Sequence, residues 1–317
     1  MTDAHTPVML EQVLEALAVK TGGLYVDSTF GRGGYTRGIL ERGAGCVHAI
    51  DRDPEALEAG AAMVEKYGQR LVLHHGNFSA MDQLIGKAGA VDGIALDLGV
   101  SSPQLDEAAR GFSFQKDGPL DMRMDQSSEH PTAADLLNTT SEAKLADIFY
   151  HYGQERYARR VAHRIVERRQ KAPFESTQDF AQLVRSCVPS SKDGLDPATR
   201  CFQALRIAVN DELSALEDGL LASLSLLKPQ GRLAVVSFHS LEDRRVKNFM
   251  RHYAKGAQNT SRHTPGAMAD KPQPALLAIL SRKAEVPSAQ EIRLNPRARS
   301  ARLRVAMRLD TLQETDL

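Results

Sequence analysis

Leu24-Tyr25-Val26-Asp27-Ser28-Thr29-Phe30-Gly31-Arg32-Gly33-Gly34-Tyr35-Thr36 decides how this chain is read. After the break at Thr21-Gly22-Gly23, Leu24 to Val26 form a short buried strand. The strand runs through an acid into a glycine-rich loop, Phe30 to Thr36, and a helix follows to about Glu41. Glycines at such a junction let a ligand approach the backbone N–H groups that open the helix. Gly31-x-Gly33 alone points to a nucleotide-like ligand, with a plain tight turn as the bland alternative. A dinucleotide fingerprint needs a further glycine at position 36, where Thr36 stands. Asp27, at the strand's end, repels a pyrophosphate. It suits a ligand carrying an ammonium group, such as the methionine half of S-adenosylmethionine.

Outward from this loop the pattern alternates. Val8 to Val19 has helical spacing, Cys46 to Ile50 is a second strand, and Pro54 opens a helix capped by Asp53 that runs to Tyr67. Leu71 to His74 and Asp92 to Leu98 are the third and fourth strands. Strand-helix alternation of this kind builds a parallel, doubly wound sheet, and such sheets bind ligands at the carboxyl ends of their strands. Asp51 therefore stands where a carboxylate accepts hydrogen bonds from ribose hydroxyls, and Phe78 where a ring stacks on adenine. Asp97 ends the fourth strand and is followed by Ser102-Pro103. Amino-group methyltransferases acting on bases carry a short polar residue and a proline near this point. Their usual aromatic is replaced by Gln104, so Phe112 or Phe114 is the candidate for a stacking face.

After Pro103 no buried strand is visible to about residue 195. Thr132 to Asn138, Ser141 to Gln170 and Thr177 to Cys187 read as helices, so residues 103–195 are expected to form a helical domain inserted between two parts of the sheet domain, 1–102 and 196–317. The second part reads as a long helical stretch from Pro197 to Leu227, a turn at Lys228-Pro229-Gln230-Gly231-Arg232, a strand from Leu233 to Phe238, and a helix from Leu241 to Tyr253. A polar loop from Gly256 to Pro274 and strands at Leu276 to Ser281 and Ala301 to Leu309 complete it.

Composition narrows the function. The chain has 317 residues, 42% of them hydrophobic, with 40 basic and 40 acidic residues. Zero net charge speaks against coating nucleic acid by bulk charge. Two arginine-rich stretches, Arg156 to Lys171 and Asn295 to Arg308, nonetheless favour RNA or DNA phosphate as a partner over merely solvated faces. Cys46, Cys187 and Cys201 form no C-x-x-C pair, which argues against a disulfide framework or a structural zinc site. None follows a proline, as the nucleophile of pyrimidine C5 methylation typically does. No leader pattern and no span of about 20 apolar residues is present, so a soluble cytoplasmic protein is expected, with homo-oligomerisation left open.

Longer strings carry a resemblance. His5-Thr6-Pro7-Val8, Asp27 to Thr36, Ala49 to Asp53, Asp97 to Pro103 and Gly118-Pro119-Leu120-Asp121-Met122-Arg123-Met124 are among them. So are Phe202-Gln203-Ala204-Leu205-Arg206-Ile207-Ala208-Val209-Asn210, Ser237-Phe238-His239-Ser240-Leu241-Glu242-Asp243 and Asn295-Pro296-Arg297-Ala298-Arg299-Ser300. Over nearly its whole length the chain resembles the bacterial RsmH (MraW) family, which methylates N4 of a cytidine in small-subunit (16S) ribosomal RNA. The resemblance implies a Rossmann-like class I methyltransferase sheet with an inserted all-helical domain, S-adenosyl-L-methionine as methyl donor without a metal, and ribosomal RNA, within the small subunit, as partner. It implies cofactor contacts at Gly33, Gly34, Tyr35, Asp51, Phe78, Asp97 and Gln104. The family often has His at the positions of Tyr35 and Asp196. A backbone contact at Tyr35 survives that change.

Asp97, and then the Ser102 region, are the candidates for accepting the N4 protons. His239 is a candidate for orienting the base or taking a proton, or for a purely structural hydrogen bond. A methyltransferase for a protein or small molecule, a dinucleotide-dependent oxidoreductase and a non-catalytic cofactor-binding protein are the competing classes. Thr36 and Asp27 weigh against the oxidoreductase.

Overall fold

The structure is a computed structural model that describes residues 7–190, 194–255 and 274–310. His5 and Thr6 of the first family string, most of the expected loop at 256–274 and the tail after Asp310 lie outside the described residues. The chain divides into two units, Met1–Gly99 with Ala215–Leu317, and Val100–Ser214.

The first unit begins with α1 (Leu10–Leu17), β1 (Leu24–Asp27), α2 (Gly34–Glu41), β2 (Cys46–Asp51), α3 (Pro54–Tyr67), β3 (Leu71–His75), α4 (Met81–Ile85) and β4 (Val91–Asp97). Each expected strand is present. Asp53 caps α3 as expected, its carboxylate accepting the Glu55 N–H at 3.1 Å.

The second unit contains α5 (Ser102–Asp106), α6 (Ala133–Thr139), α7 (Glu142–His151), α8 (Ala158–Arg169), α9 (Thr177–Cys187) and α10 (Ala198–Asn210). Its core gathers Phe149, Phe174, Phe180 and Phe202 with aliphatic residues from the facing helices. Ala198, Cys201, Phe202 and Leu205 of α10 belong to that core, so the unit extends past the expected boundary at 195 to Ser214. The expected helix from Ser141 to Gln170 is two helices. Gln154 turns left-handed (φ 52°) between them, and beside it a Cβ on Gly153 would lie 2.6 Å from the Arg200 carbonyl oxygen. The long helical stretch after Pro197 is also two, because Asp211 takes a left-handed conformation (φ 46°) between α10 and α11 (Glu212–Leu226).

The chain then completes the sheet with β5 (Leu227–Ser237), α12 (Ser240–Lys255), β6 (Leu277–Ile279), α13 (Ala289–Leu294) and β7 (Arg302–Arg308). The turn expected at Lys228 to Arg232 is instead an irregular start to β5. Its register against β4 shifts between Val91 and Gly93, and Gln230 has φ 65°. The sheet has seven strands in the order β3-β2-β1-β4-β5-β7-β6, with β7 antiparallel to both neighbours. Strand order reverses between β1 and β4, which opens a crevice at their carboxyl ends. One apolar layer packs α1 and α2 on one face, including Val13, Leu14, Leu17 and Ile39. The other face packs Met81, Leu216, Leu220, Val246 and Met250 against Ile50, Ile94, Leu96 and Val235.

Candidate active site at the strand ends

The loop after β1 is held by hydrogen bonds that its residue types dictate. Ser28 donates backbone N–H and hydroxyl to the Ala95 carbonyl at 3.0 and 2.8 Å, and the Phe30 N–H donates to the Ile50 carbonyl at 2.9 Å. These bonds fasten the loop to β4 and β2. Gly33 caps α2 in a left-handed conformation (φ 70°), and a Cβ there would lie 2.7 Å from both Met63 and Phe30. A Cβ on Gly34 would run into Pro7. Protein atoms thus fill the space that a side chain at either position would need. With glycine as its cap, α2 receives no hydrogen bond from its N-cap residue's side chain, and the Thr36 N–H of its first turn is taken by Asp27.

Asp27 is fully buried. Its Oδ2 accepts the Thr36 N–H at 3.0 Å and the Thr36 hydroxyl at 2.7 Å, and Oδ1 accepts the Thr29 N–H at 3.3 Å. Thr36, noticed in the sequence only as a missing glycine, is the donor that satisfies this carboxylate. Burial pushes Asp27 up to about 6, against the pull of the Thr36 and Thr29 bonds.

Asp51 bridges two segments. Oδ2 accepts the Gly31 N–H at 2.7 Å and Oδ1 the Asp53 N–H at 2.9 Å. Burial raises its pKa, and these two N–H groups oppose the rise. Asp97 is held through its backbone, whose N–H donates to the Thr29 hydroxyl at 2.7 Å. Its Oδ1 is buried without a hydrogen-bond partner among the described residues. Burial first, then the charges of Asp27 and Glu242, push this carboxyl well above the ordinary range. Thr29, which sequence reasoning passed over, therefore ties the glycine loop to the end of β4.

Tyr35 lies inside the core, and its hydroxyl donates to the Val8 carbonyl. Its side chain secures the N-terminal segment, which leaves its backbone for any ligand contact. Phe78 follows β3, three residues past His75, the register partner of Asp51. One part of its ring lies on Gly219 of α11, where a Cβ would come within 2.5 Å of it. Gln104 belongs to the helical unit. It is buried, and its side-chain oxygen accepts the Ser101 N–H at 3.0 Å as the N3 residue of a capping box.

The stacking candidates in the loop do not present free faces. Phe112 is buried in the helical core, and Phe114 packs edge-on against Phe202 at 4.8 Å with the Arg185 guanidinium over its ring. His239 sits where β5 gives way to α12. Glu242 Oε2 accepts the Phe238 and His239 N–H groups at 2.8 and 3.2 Å, closing the first turn of α12. The His239 Nε2 lies 3.1 Å from Glu242 Oε1, in ion-pair range but out of line for a hydrogen bond. Asp243 takes Arg304 of β7 in two bonds, at 2.6 and 3.1 Å.

Two other family strings resolve into supports within the helical unit. Asn210 accepts the Met124 N–H at 2.8 Å and donates to the Met122 and Arg206 carbonyls at 2.7 and 3.0 Å. Asp121 pairs with Arg123 at 2.8 and 2.9 Å, and Arg206 with Glu212 at 2.7 Å in two bonds.

Carboxylates at the ends of adjacent strands, a glycine-capped helix and an aromatic after β3 suit a nucleoside with an amino-acid tail. With the seven-stranded sheet they define a class I methyltransferase dependent on S-adenosylmethionine. Comparison with known proteins gives the particular family. The profile of the MraW methylase family matches residues 2–309, and the chain belongs to that family. A ribosomal RNA small subunit methyltransferase H of Rhodospirillum rubrum is 56% identical over 311 residues, covering 96% of this chain and 94% of the relative. Its counterpart in Paramagnetospirillum magneticum is 55% identical over 306 residues, covering 96% and 95%. That of Gluconobacter oxydans is 52% identical over 300 residues, covering 95% and 92%. Among the described residues no helix is long and apolar enough to cross a membrane.

Proposed function

We propose that this enzyme transfers a methyl group to the N4 exocyclic amine of a cytidine in 16S ribosomal RNA, within the small ribosomal subunit. The relatives' shared name supports ribosomal RNA of the small subunit as substrate, and the family resemblance supports the cytidine N4. In this reading the backbone at Gly33, Gly34 and Tyr35, the Asp51 carboxylate and the Phe78 ring hold the cofactor, and Gln104 is assigned by the resemblance. S-adenosylmethionine, when bound, supplies a methyl group already activated on a sulfonium. The protein's task is the nucleophile. Cytidine N4 is weak because its lone pair is delocalised into the ring, so the enzyme must align it and accept its protons.

One observation carries the assignment of that task. Asp97 Oδ1 is buried, unpartnered among the described residues, and fixed beside the glycine loop by Thr29. An orphaned buried oxygen costs about 1–3 kcal/mol unless something completes it. Cofactor or cytidine amine would supply that hydrogen bond. The test is an Asp97→Ala variant assayed on small subunits by mass spectrometry of the 16S cytidines. Loss of about 100-fold or more in methylation, with the fold intact, is expected. A folded variant that binds cofactor and methylates normally overturns the role of Asp97. An unchanged cytidine pattern after gene deletion overturns the substrate. The alternative of a protein or small-molecule substrate is not favoured by the relatives.

A further inference from the structure

The arginines of α8 do not all serve the same end. In its second half they are spent inside the helical unit. Arg164 pairs with Glu167 at 2.8 Å, and Arg168 with Asp179 at 2.7 Å. Arg169 donates to the Leu137 and Thr140 carbonyls at 2.8 and 2.7 Å. His163 faces Glu142 and Glu167 at 3.4 and 3.5 Å. At the other end, Arg156, Arg159 and Arg160 are exposed and pair with no carboxylate among the described residues. They also sit around the first turn of α8, where cations oppose the helix dipole. No gain in stability explains three unpaired arginines in that place.

Aromatic rings stand among these charges. Of the described Phe and Tyr residues only Tyr150 and Tyr157 are exposed, at 61% and 41%. Tyr150 and His151 are the last two residues of α7, their rings edge-on at 5.0 Å, and Tyr157 immediately precedes α8. The intervening connection is short and tight. Tyr152, Gly153 and Glu155 donate their N–H groups back to the Ile148 and Phe149 carbonyls. The acids nearby are Asp147, exposed one turn back on α7, and Glu155, buried and accepting the Tyr157 N–H at 2.8 Å.

We propose that the α7–α8 corner, formed by Tyr150, His151, Arg156, Tyr157, Arg159 and Arg160, is a docking surface for single-stranded RNA. Arginines there meet phosphates, and the two tyrosines stack on bases. The charge pattern selects a polyanion. The exposed rings select a strand whose bases are unstacked, because a duplex hides its base faces. The inference rests on the reading of ribosomal RNA as substrate and adds which part of the helical unit grips the RNA.

The experiment uses the full chain and a labelled oligocytidylate, followed by fluorescence anisotropy over a range of salt. An Arg156→Gln/Arg160→Gln double variant should bind more weakly, with the slope of log affinity against log salt shallower by about 1.4. Tyr150→Ala and Tyr157→Ala should each weaken binding roughly 5- to 100-fold with the slope unchanged. Tyr157→Phe, which keeps the ring, should restore it. Affinity for S-adenosylhomocysteine should stay at the wild-type value throughout, and on small subunits KM for the RNA should rise while kcat holds. Wild-type affinity, slope and KM in the double variant and in both alanine variants would overturn the docking surface. If the wild-type chain methylates no ribosomal RNA, the reading of the activity falls instead, and the anisotropy series still decides the surface.

Discussion

Asp27 shows how one buried acid couples the cofactor loop to pH. Its folded-state pKa is raised from 3.8 to about 6 by burial, so the folded state holds its proton more tightly than the unfolded chain does. Stability from this group is therefore fully present below about pH 4 and is lost as pH rises through about 6. An Asp27→Asn variant does not titrate. Urea unfolding of wild type and variant should differ in pH dependence, wild type gaining stability relative to the variant as pH falls from about 7.5 to 5. Parallel curves would show that Asp27 is not the titrating group. At the same scale, Thr36→Val keeps the shape but removes the 2.7 Å hydroxyl bond to that carboxylate. It should cost about 1–3 kcal/mol of unfolding free energy above pH 6, and less at pH 5.

At the scale of elements, the stabilising groups sit where one segment hands over to the next. Glu242 takes two backbone N–H groups at the β5–α12 junction, so Glu242→Ala should destabilise the chain by about 1–3 kcal/mol, read by thermal unfolding. Gly231 is needed at the start of β5, because a Cβ there would lie 2.8 Å from the Lys228 carbonyl oxygen and 2.9 Å from that of Val91. Gly231→Ala should cost about 1–3 kcal/mol, and amide exchange should quicken in β4 and β5 ahead of the rest. A variant as stable as wild type would mean that the strand start can shift to make room. The arginine-rich helix belongs to this scale as well. Its charge pattern was legible in the sequence. Which arginines are consumed by Asp179 and by the Leu137 and Thr140 carbonyls was not, since those partners come from elsewhere along the chain.

Across the whole molecule, the chain folds one sheet from two distant stretches and gives the segment between them its own core. Cofactor binding should then act as a stabiliser of the sheet unit. Saturation with S-adenosylhomocysteine at about 100 times its Kd should raise unfolding free energy by about 2.7 kcal/mol. Gly33→Ala should abolish that gain, because its added Cβ would fall 2.7 Å from Phe30 and Met63 in a backbone conformation that disfavours side chains. Differential scanning calorimetry with and without ligand checks both statements. An undiminished shift in the variant would place the cofactor away from this loop.

The sequence by itself determined the alternation of β1 to β4, the Asp53 cap and the string of residues that identify the family. Those are local or periodic signals, set by side-chain spacing and turn chemistry within a few residues. It also placed Asp51 and Asp97 at strand ends, because strand ends are where periodicity stops. It did not show that Tyr35 turns inward to Val8, that Phe112 and Phe114 are consumed by the helical core, or that Ser141 to Gln170 breaks at Gly153 and Gln154. Nor did it show that α10 belongs to the helical unit or that Thr29 holds Asp97. Each of these depends on a partner far off in sequence, such as β4 for Thr29 or α10 for Gly153. Only the tertiary structure brings such partners within contact, and it is there that an unpartnered carboxylate oxygen or an unpaired arginine first becomes visible.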